Sequence, residues 1–394
     1  MIIVALASTG FSMRTAVVSV GPVLAALQRA FAMSSSVSGA LTTMPVLCFA
    51  VVGAATPRLA ARAGARRLLA AALVAMTVGL VSRAAVTSLP AFFVLSLLAL
   101  SGGAVANVVL PTLIKQEFPD RIGPMTALYT ATLAVGMTAG AGLTVPIGSL
   151  APAADTWRAG LAFWAIFSAI AILPWLGMLR RDKGCTSAGP AMLSVAGSRT
   201  AWWVTLFFAT QAFQAYIAIG WFAKMFHSDG MSASRAGAML AVFTAVAIPV
   251  YLASAAVPPD WHRPVIAMLL AAYLAGYAGL LVAPVHLAWL WMVLAGIGGG
   301  EFPLALVMIG IRSRGSATTG ALSAFVQSVG YLLGALGPLL FGVLEQVSGD
   351  WTVPLLALVV ATVLGALFGW LAAGQHLVDD EMASRRVPKV RSGV

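Results

Sequence analysis

The chain opens with MIIVALASTGFSMRTAVVSVGPVLAAL, from Met1 to Leu27, in which one cation, Arg14, lies near the middle of an apolar stretch. Crossing a bilayer as a helix takes about 20 apolar residues, so this stretch is long enough. An arginine at that depth costs roughly 2.5–3.5 kcal/mol on insertion and normally faces a watery cavity or a partner. The segment therefore predicts a membrane-spanning helix that carries a functional charge.

The composition extends this interpretation to the whole chain. Of 394 residues, 60% are hydrophobic and 9% are charged, and the mean hydropathy is +0.96. Soluble domains carry about 25% charged residues, so the chain is a polytopic membrane protein. Its apolar runs are long and continuous, unlike the alternating strands of a membrane β-barrel. The net charge of +11 does not indicate a nucleic-acid partner, because the basic residues lie in short gaps between apolar runs.

Twelve hydrophobic helices are predicted, each close to the length that a bilayer requires. They cover residues 1–27, 37–57, 67–87, 90–114, 124–150, 157–179, 199–225, 233–257, 264–284, 286–310, 317–344 and 351–374. Seventeen of the 23 lysines and arginines fall on one side of this arrangement and five on the other. Basic residues concentrate in cytoplasmic loops. We therefore expect both termini in the cytoplasm and the chain in the plasma (inner) membrane.

The two halves of the chain resemble each other. MSSSVSGAL from Met33 recurs as MSASRAGAM from Met231, and each string opens the second span of its half. Span five matches span eleven at an offset of 194, in Ala127/Ala321, Leu128/Leu322, Gly136/Gly330, Gly140/Gly334 and Gly148/Gly342. The predicted fold is all-α, with twelve transmembrane helices in two pseudo-symmetric six-helix bundles. We expect the N-terminal bundle over 1–179, a cytoplasmic linker over 180–198, the C-terminal bundle over 199–374 and a cytoplasmic tail over 375–394.

Three strings carry a family resemblance. They are MRTAVVSVGPVL from Met13, NVVLPTLIKQEFPDRIGPMTALYT from Asn107 and WRAGLAFWA from Trp157. The chain resembles the major facilitator superfamily and, within it, the branch of cyanate and nitroimidazole transporters. The resemblance implies a secondary transporter in which spans one, four, seven and ten line a central path. It also implies substrates of the cyanate or nitroimidazole kind.

The polar residues predicted for deep positions fall on those four spans and on spans five and eleven. The candidate substrate-binding residues are Arg14, Asn107, Tyr129, Gln211, Gln214, Glu301 and Gln327. The planar donor array of an arginine matches a carboxylate or a similar anion. Gln211 and Gln214 are three residues apart and so share one helix face. Gln327 has Tyr331 four residues on, which together make a polar face.

Several of these residues have competing interpretations. Arg14 either binds substrate, forms a structural ion pair or reaches toward the membrane surface. Glu301 either takes up and releases a coupling proton, or forms a gating pair with Arg14 in one conformation, or stays neutral in a polar pocket. Asn107 either contacts substrate or joins two helices by a hydrogen bond. The run from Gly298 to Gly300 is expected to weaken span ten just before Glu301.

The leading functional hypothesis is a secondary active transporter of a small anionic or polar heteroaromatic solute that works by alternating access. In one form of this hypothesis, transport is coupled to protons. The alternatives are proton-driven efflux of a drug or metabolite and, from another class, a membrane-embedded enzyme or sensor. The enzyme is disfavoured because the sequence has no nucleophile elbow, phosphate loop or metal-ligand spacing. We expect no catalytic residues, no metal and no cofactor, and a monomer whose partners are the solute, the lipid bilayer and protons.

Overall fold

The computed structural model describes residues 2–118, 121–152, 155–179, 192–314 and 316–386. Most of the predicted linker and the end of the predicted tail, residues 387–394, lie outside the described residues. The helices are α1 (Ile2–Val18), α2 (Val20–Phe31), α3 (Ser35–Ala63), α4 (Ala65–Ala85), α5 (Leu89–Glu117), α6 (Ile122–Gly148), α7 (Thr156–Leu176), α8 (Arg199–Ser228), α9 (Ala233–Ala255), α10 (His262–Val282), α11 (Ala288–Gly298), α12 (Glu301–Ile311), α13 (Ser316–Gly334), α14 (Leu336–Ser348), α15 (Thr352–Ala372) and α16 (Val378–Arg386).

Among the described residues, twelve segments are long and apolar enough to cross a membrane, which confirms the predicted fold. Three spans consist of two helices each: α1 with α2, α11 with α12, and α13 with α14. Prolines explain two of these breaks, since a proline has no N–H to donate to the carbonyl four residues before it. Pro22 cannot bond to Val18, and Pro338 cannot bond to Gly334. The third break falls at Gly299 and Gly300, so that Glu301 begins a new helix.

The repeated MS strings perform the same local task in both halves. The N–H of Met33 donates to the carbonyl of Gln28 at 3.0 Å, and the N–H of Met231 donates to that of Phe226 at 3.0 Å. In each half the next serine caps the following helix, because Ser34 Oγ accepts from Val37 and Ser232 Oγ accepts from Arg235. The sequence repeat is therefore a repeat of helix-end geometry, 198 positions apart.

The glycines of spans five and eleven let neighbouring helices approach closely in both halves. Gly136 of α6 lies against the backbone of Phe11 in α1, and Gly330 of α13 lies against the ring of Phe208 in α8. A side chain at either position would overlap these neighbours. The fold is thus two pseudo-symmetric six-helix bundles. The exact bounds of the two halves stay predictions.

The halves pack against each other at the end of the bundle that carries the turn between α2 and α3, residues 32–34; we call this the closed end. Gly21 of α2 lies directly against the carbonyl of Ile219 in α8. A Cβ at Gly39 of α3 would lie 3.0 Å from the carbonyl oxygen of Pro338 in α14. With so little room between the backbones, these helices cannot separate without breaking a tightly packed interface.

An ion pair adds to the packing at the closed end. Lys224 Nζ lies 3.0 Å from Glu345 Oε1 and donates to Ser35 Oγ at 3.2 Å. The ammonium also lies 5.0 Å from the ring centroid of Trp221 and 5.1 Å from that of Trp351. Because Ser35 begins α3 and the other four residues follow residue 199, the contact ties the two halves together.

Helix α16, in the predicted tail, docks on the helix ends at the opposite side of the bundle. The carboxylate of Glu381 accepts from Ser198 Oγ at 2.6 Å and from Thr200 Oγ1 at 2.8 Å. The carboxylate of Asp379 accepts from the N–H of Arg314 at 2.8 Å and from Thr318 Oγ1 at 2.7 Å. Burial acts to raise the pKa of both carboxyls, but these hydrogen bonds outweigh it and hold each pKa below its ordinary value.

Candidate functional site

Arg14 of α1 is buried between the two halves, with 8% of its surface exposed. Its Nη1 donates to the hydroxyl of Tyr216 at 3.4 Å, and its guanidinium carbon lies 5.3 Å from the ring centroid of Phe49. Nε has no acceptor, and none of the ion pairs among the described residues includes this guanidinium. The protein therefore gives Arg14 the neutral hydroxyls of Tyr216 and Tyr331 and an aromatic face, with no counter-charge among the described residues and no acceptor for Nε.

Aromatic rings surround this cation. Tyr331 of α13 packs against Phe208 at 5.0 Å between ring centroids, against Phe49 at 5.6 Å and against Tyr216 at 6.2 Å. Phe49 comes from α3 of the first half, whereas the other three rings come from the second half. The wall thus closes around Arg14 only when both halves contribute. Aromatic rings pack favourably on flat π-systems, and a guanidinium also stacks on them.

Asn107 and Tyr129 lie on the first-half side of Arg14. The hydroxyl of Tyr129 donates to Asn107 Oδ1 at 3.3 Å and lies 3.8 Å from Met13 Sδ, next to Arg14 in the chain. Tyr129 is buried and Asn107 is half-buried. We call Arg14, Phe49, Tyr129, Tyr216 and Tyr331, together with Asn107, the central cluster. Three of the seven predicted site residues belong to it.

Two other predicted residues lie in a second polar cluster inside the second half. Gln214 Oε1 accepts from Thr362 Oγ1 at 2.6 Å and from the hydroxyl of Tyr277 at 3.2 Å, and its Nε2 has no acceptor. Glu301 is fully buried, and neither carboxyl oxygen has a donor among the described residues. One of these oxygens lies about 4.0 Å from where a Cβ at Gly365 would stand, so Glu301 faces α15.

The remaining two predicted residues make few contacts. Gln211 is 3% exposed and forms no side-chain hydrogen bond with the described residues. Gln327 is half-buried, and its Nε2 donates to Ser323 Oγ at 2.9 Å, one turn back on the same helix. Arg14 and Glu301 form no ion pair in this conformation. Among the described residues, no group of three or more His, Cys, Asp or Glu side chains could hold a metal ion.

Sequence reasoning missed Phe49 and Tyr216, which both contact Arg14. Both lie on spans rich in other aromatic and apolar residues, and neither stands out by type or spacing. Tyr331 was noted only as a neighbour of Gln327 on one helix face. The signal that could have found all three is depth, since each lies near the middle of its span. Depth alone does not say which way a residue faces, because that depends on how each helix is rotated.

Twelve spans in two repeated halves, with a buried cation where the halves meet, define a membrane transporter of the two-bundle type. The family model of the Major Facilitator Superfamily matches residues 1–338. The chain belongs to this superfamily, whose members are transporters and not enzymes.

Two relatives indicate its branch. The 2-nitroimidazole transporter of Escherichia coli is 33% identical, over 92% of this chain and 93% of the relative. The cyanate transport protein CynX of the same organism is 30% identical, over 87% and 89% respectively. Among solved structures, a bacterial homologue of the human lysosomal transporter Spinster, inward-facing and occupied, superposes with a TM-score of 0.79. It is 15% identical and covers 99% of this chain and 98% of its own, so it bears on the fold alone.

Proposed function

We propose that this protein is a secondary active transporter of a small anionic or polar heteroaromatic solute, and that the solute binds in the central cluster. One observation carries the proposal: a buried guanidinium with a free Nε–H and no counter-charge among the described residues lies beside an aromatic wall built from both halves. A guanidinium fork suits a carboxylate, a nitro group or a linear anion, and the rings suit a flat heteroaromatic. The relatives named for cyanate and for 2-nitroimidazole transport have substrates of these two kinds.

The proposed roles follow the contacts. Arg14 binds the electron-rich group, Tyr129 and Asn107 offer a hydroxyl and an amide, and Phe49, Tyr216 and Tyr331 stack on the solute. Gln211 and Gln327 line the path on spans seven and eleven. Gln214 holds the second polar cluster together, because its carbonyl accepts two hydroxyl hydrogen bonds.

Transport would proceed by rocking of the two halves about the central cluster. In the conformation described here the closed end is shut, and the same site would open on that side when the halves tilt. Together with the charge bias of the loops, this predicts a closed end that faces away from the cytoplasm, with both termini in the cytoplasm. We further propose that the protein works as a monomer in the plasma membrane.

Glu301 is the proposed proton-coupling residue. A buried carboxylate without a donor is costly, whereas its neutral form is tolerated. Binding and release of a proton would therefore change the packing between α12 and α15. The Glu301→Gln variant should lose substrate accumulation driven by a pH gradient and keep exchange of internal for external substrate. Asp350→Asn, at an exposed carboxyl of the closed end, is the matched control. A wild-type transport rate that does not change with pH would rule out this role.

A gating pair between Glu301 and Arg14 is the competing role. It would have to form in another conformation, because no ion pair joins these side chains here. A double-mutant cycle of Arg14→Gln and Glu301→Gln on transport rate would measure the coupling between them. Additive effects would exclude the pair.

The binding proposal is tested with purified protein and a panel of small anions and heteroaromatics that includes cyanate and 2-nitroimidazole. Ligands that bind the folded protein raise its unfolding temperature. We expect at least one compound to stabilise the wild type and to leave Arg14→Ala unchanged. The same compound should enter proteoliposomes that contain the wild type. A compound that stabilises both proteins equally would place its site elsewhere, and a panel with no hit would contradict the proposed substrate class.

A further inference from the structure

A second buried arginine lies at the closed end. Arg83, in the last turn of α4, is fully buried. Its Nη2 donates to the carbonyl of Ala16 at a long 3.4 Å, and its Nε and Nη1 have no acceptor among the described residues. None of the ion pairs in the described part of the chain includes it. A full positive charge is thus buried here with no counter-charge from the described residues.

The usual structural role of such an arginine is taken by a neighbour. A cation at a helix C-terminus often bonds to the last carbonyls of the helix. At α4 this is done by Arg158, whose Nη1 donates to the carbonyls of Ala84 at 2.8 Å and Val86 at 3.0 Å. Arg158 also pairs with Asp155 at 3.6 Å. Arg83 is therefore not needed to end α4, and its guanidinium faces elsewhere.

Arg83 is one of the residues that line a small cavity of about 20 Å³. Holding one water takes roughly 10–15 Å³, so the cavity has room for one water or one small ion and excludes an aromatic ring. Ser96 also lines it and is 1% exposed, and its Oγ has no hydrogen-bond partner among the described residues. Thr42 adds a second hydroxyl. Two residues that line one small space thus carry guanidinium and hydroxyl donors without partners, and such donors are what an anion binds.

Both halves of the protein build this cavity. Ala16, Thr42, Arg83 and Ser96 come from the first half, and Tyr216, Ile219 and Gly220 come from α8 of the second half. The α8 side is the same surface that packs against Gly21 at the closed end. The cavity is therefore complete only while the closed end is shut. Tyr216 also accepts from Arg14, so this one side chain stands between the cavity and the central cluster.

We propose that the Arg83 cavity binds one small monovalent anion, of the size of a halide, and that this anion stabilises the conformation with the closed end shut. A ligand shifts a conformational equilibrium only by its difference in affinity for the two states. Here the difference arises because opening the closed end removes the α8 wall and lets water reach the guanidinium. The anion is thus a state-selective ligand, distinct from the solute at Arg14. The inference rests on the proposed function in one respect, that the shut conformation is one of two transport states.

Bromide is the probe. Purified protein is exchanged into a gluconate buffer free of halide, and its unfolding temperature is measured against bromide concentration. The Arg14→Gln variant is the parent, because any bromide held in the central cluster is lost from it. We expect bromide to stabilise this parent with saturation. Adding Arg83→Gln should weaken the apparent affinity at least tenfold, whereas adding Arg29→Gln, at an exposed arginine of the same end, should leave it unchanged.

A second variant, Ser96→Ala in the same parent, keeps the buried charge and removes one hydroxyl donor. It tests the site even if Arg83→Gln does not fold. Its affinity for bromide should fall severalfold. Bromide should also slow thiol labelling of a cysteine placed at Ser35 of the closed end. A parent that does not respond to bromide would show that the cavity holds water only and would overturn the inference. So would an affinity that neither the Arg83 nor the Ser96 substitution changes. Failure of the proposed function appears separately, as solute binding that does not depend on Arg14.

Discussion

Replacing Arg14 by lysine separates charge from geometry at the central cluster. In the structure the guanidinium contacts neutral tyrosine hydroxyls, that of Tyr216 at a long 3.4 Å and that of Tyr331, and lies over the ring of Phe49. These contacts are weak, so Arg14→Lys should lower the free energy of unfolding by about 1 kcal/mol or less. Solute binding is different, because a planar fork can donate two hydrogen bonds to one anion and an ammonium cannot match that geometry.

The loss of binding can be given a size. One hydrogen bond to a charged group contributes about 1.5–3 kcal/mol. At 1.4 kcal/mol for each tenfold change, removing one such bond weakens binding about 12- to 140-fold. Arg14→Lys should therefore raise the dissociation constant by that factor while its unfolding temperature stays close to that of the wild type. The measurement is equilibrium binding of a radiolabelled hit from the solute panel to purified protein, followed by exchange in proteoliposomes.

The matched control is Arg158→Lys. This arginine is also partly buried and also lies over an aromatic ring, Trp157, at 4.5 Å, but it lies outside the central cluster. Its substitution should not change the dissociation constant. If Arg14→Lys binds within twofold of the wild type, the fork does not contact the solute. If it unfolds in the absence of solute, Arg14 is a structural residue and the binding argument fails.

Three further predictions concern the closed end and the tail. Gly21→Leu should keep the halves apart, because any side chain there overlaps the backbone of α8. Thiol labelling at the closed end should therefore rise, and transport should stop. The control Gly103→Ala should be tolerated, because a Cβ there lies 3.7 Å from its nearest neighbour. Lys224→Met or Glu345→Leu alone leaves a mostly buried charge unpaired, so each should lower the free energy of unfolding by about 3 kcal/mol. The double variant should recover part of the lost thermal stability. Glu381 has a lowered pKa, because its hydrogen bonds outweigh burial, so its contribution to the docking of α16 is complete at neutral pH and is lost as the pH falls through the lowered pKa. Limited proteolysis should then cut α16 in strong acid and not at neutral pH, and Glu381→Gln should be cut under both conditions.

Much of the fold was predictable because a bilayer imposes simple rules. Spans must be long and apolar, so their number and their approximate ends follow from hydropathy. The repeated MS strings were visible as letters, and the structure explains them as the same helix-end geometry in both halves. The break before Glu301 was anticipated from its glycines, since glycine weakens a helix interior wherever it occurs. The bend near Ala335 follows from Gly334, Gly337 and Pro338, whereas the break at Ser19 was not anticipated.

The central cluster was predictable only in part. Arg14 stood out because a charge in an apolar span is rare and costly, whatever its surroundings. Glu301 stood out for the same reason, but the structure turns it toward α15 and gives it no contact with Arg14. Phe49 and Tyr216 look like ordinary membrane aromatics in the sequence, and they meet Arg14 only through the packing of α3 and α8 against α1.

Arg83 shows the difference between sequence and tertiary structure most clearly. In the sequence it counts as one more basic residue near the end of a span, of the kind that sets orientation. In the structure it is fully buried beside a cavity whose walls come from both halves. The sequence alone determined the membrane class, the twelve spans and the presence of a deep charge, because these depend on local composition and on the thickness of a bilayer. Which side chains meet depends on helix rotation and on contacts between residues some 200 positions apart, and only the packed structure decided that.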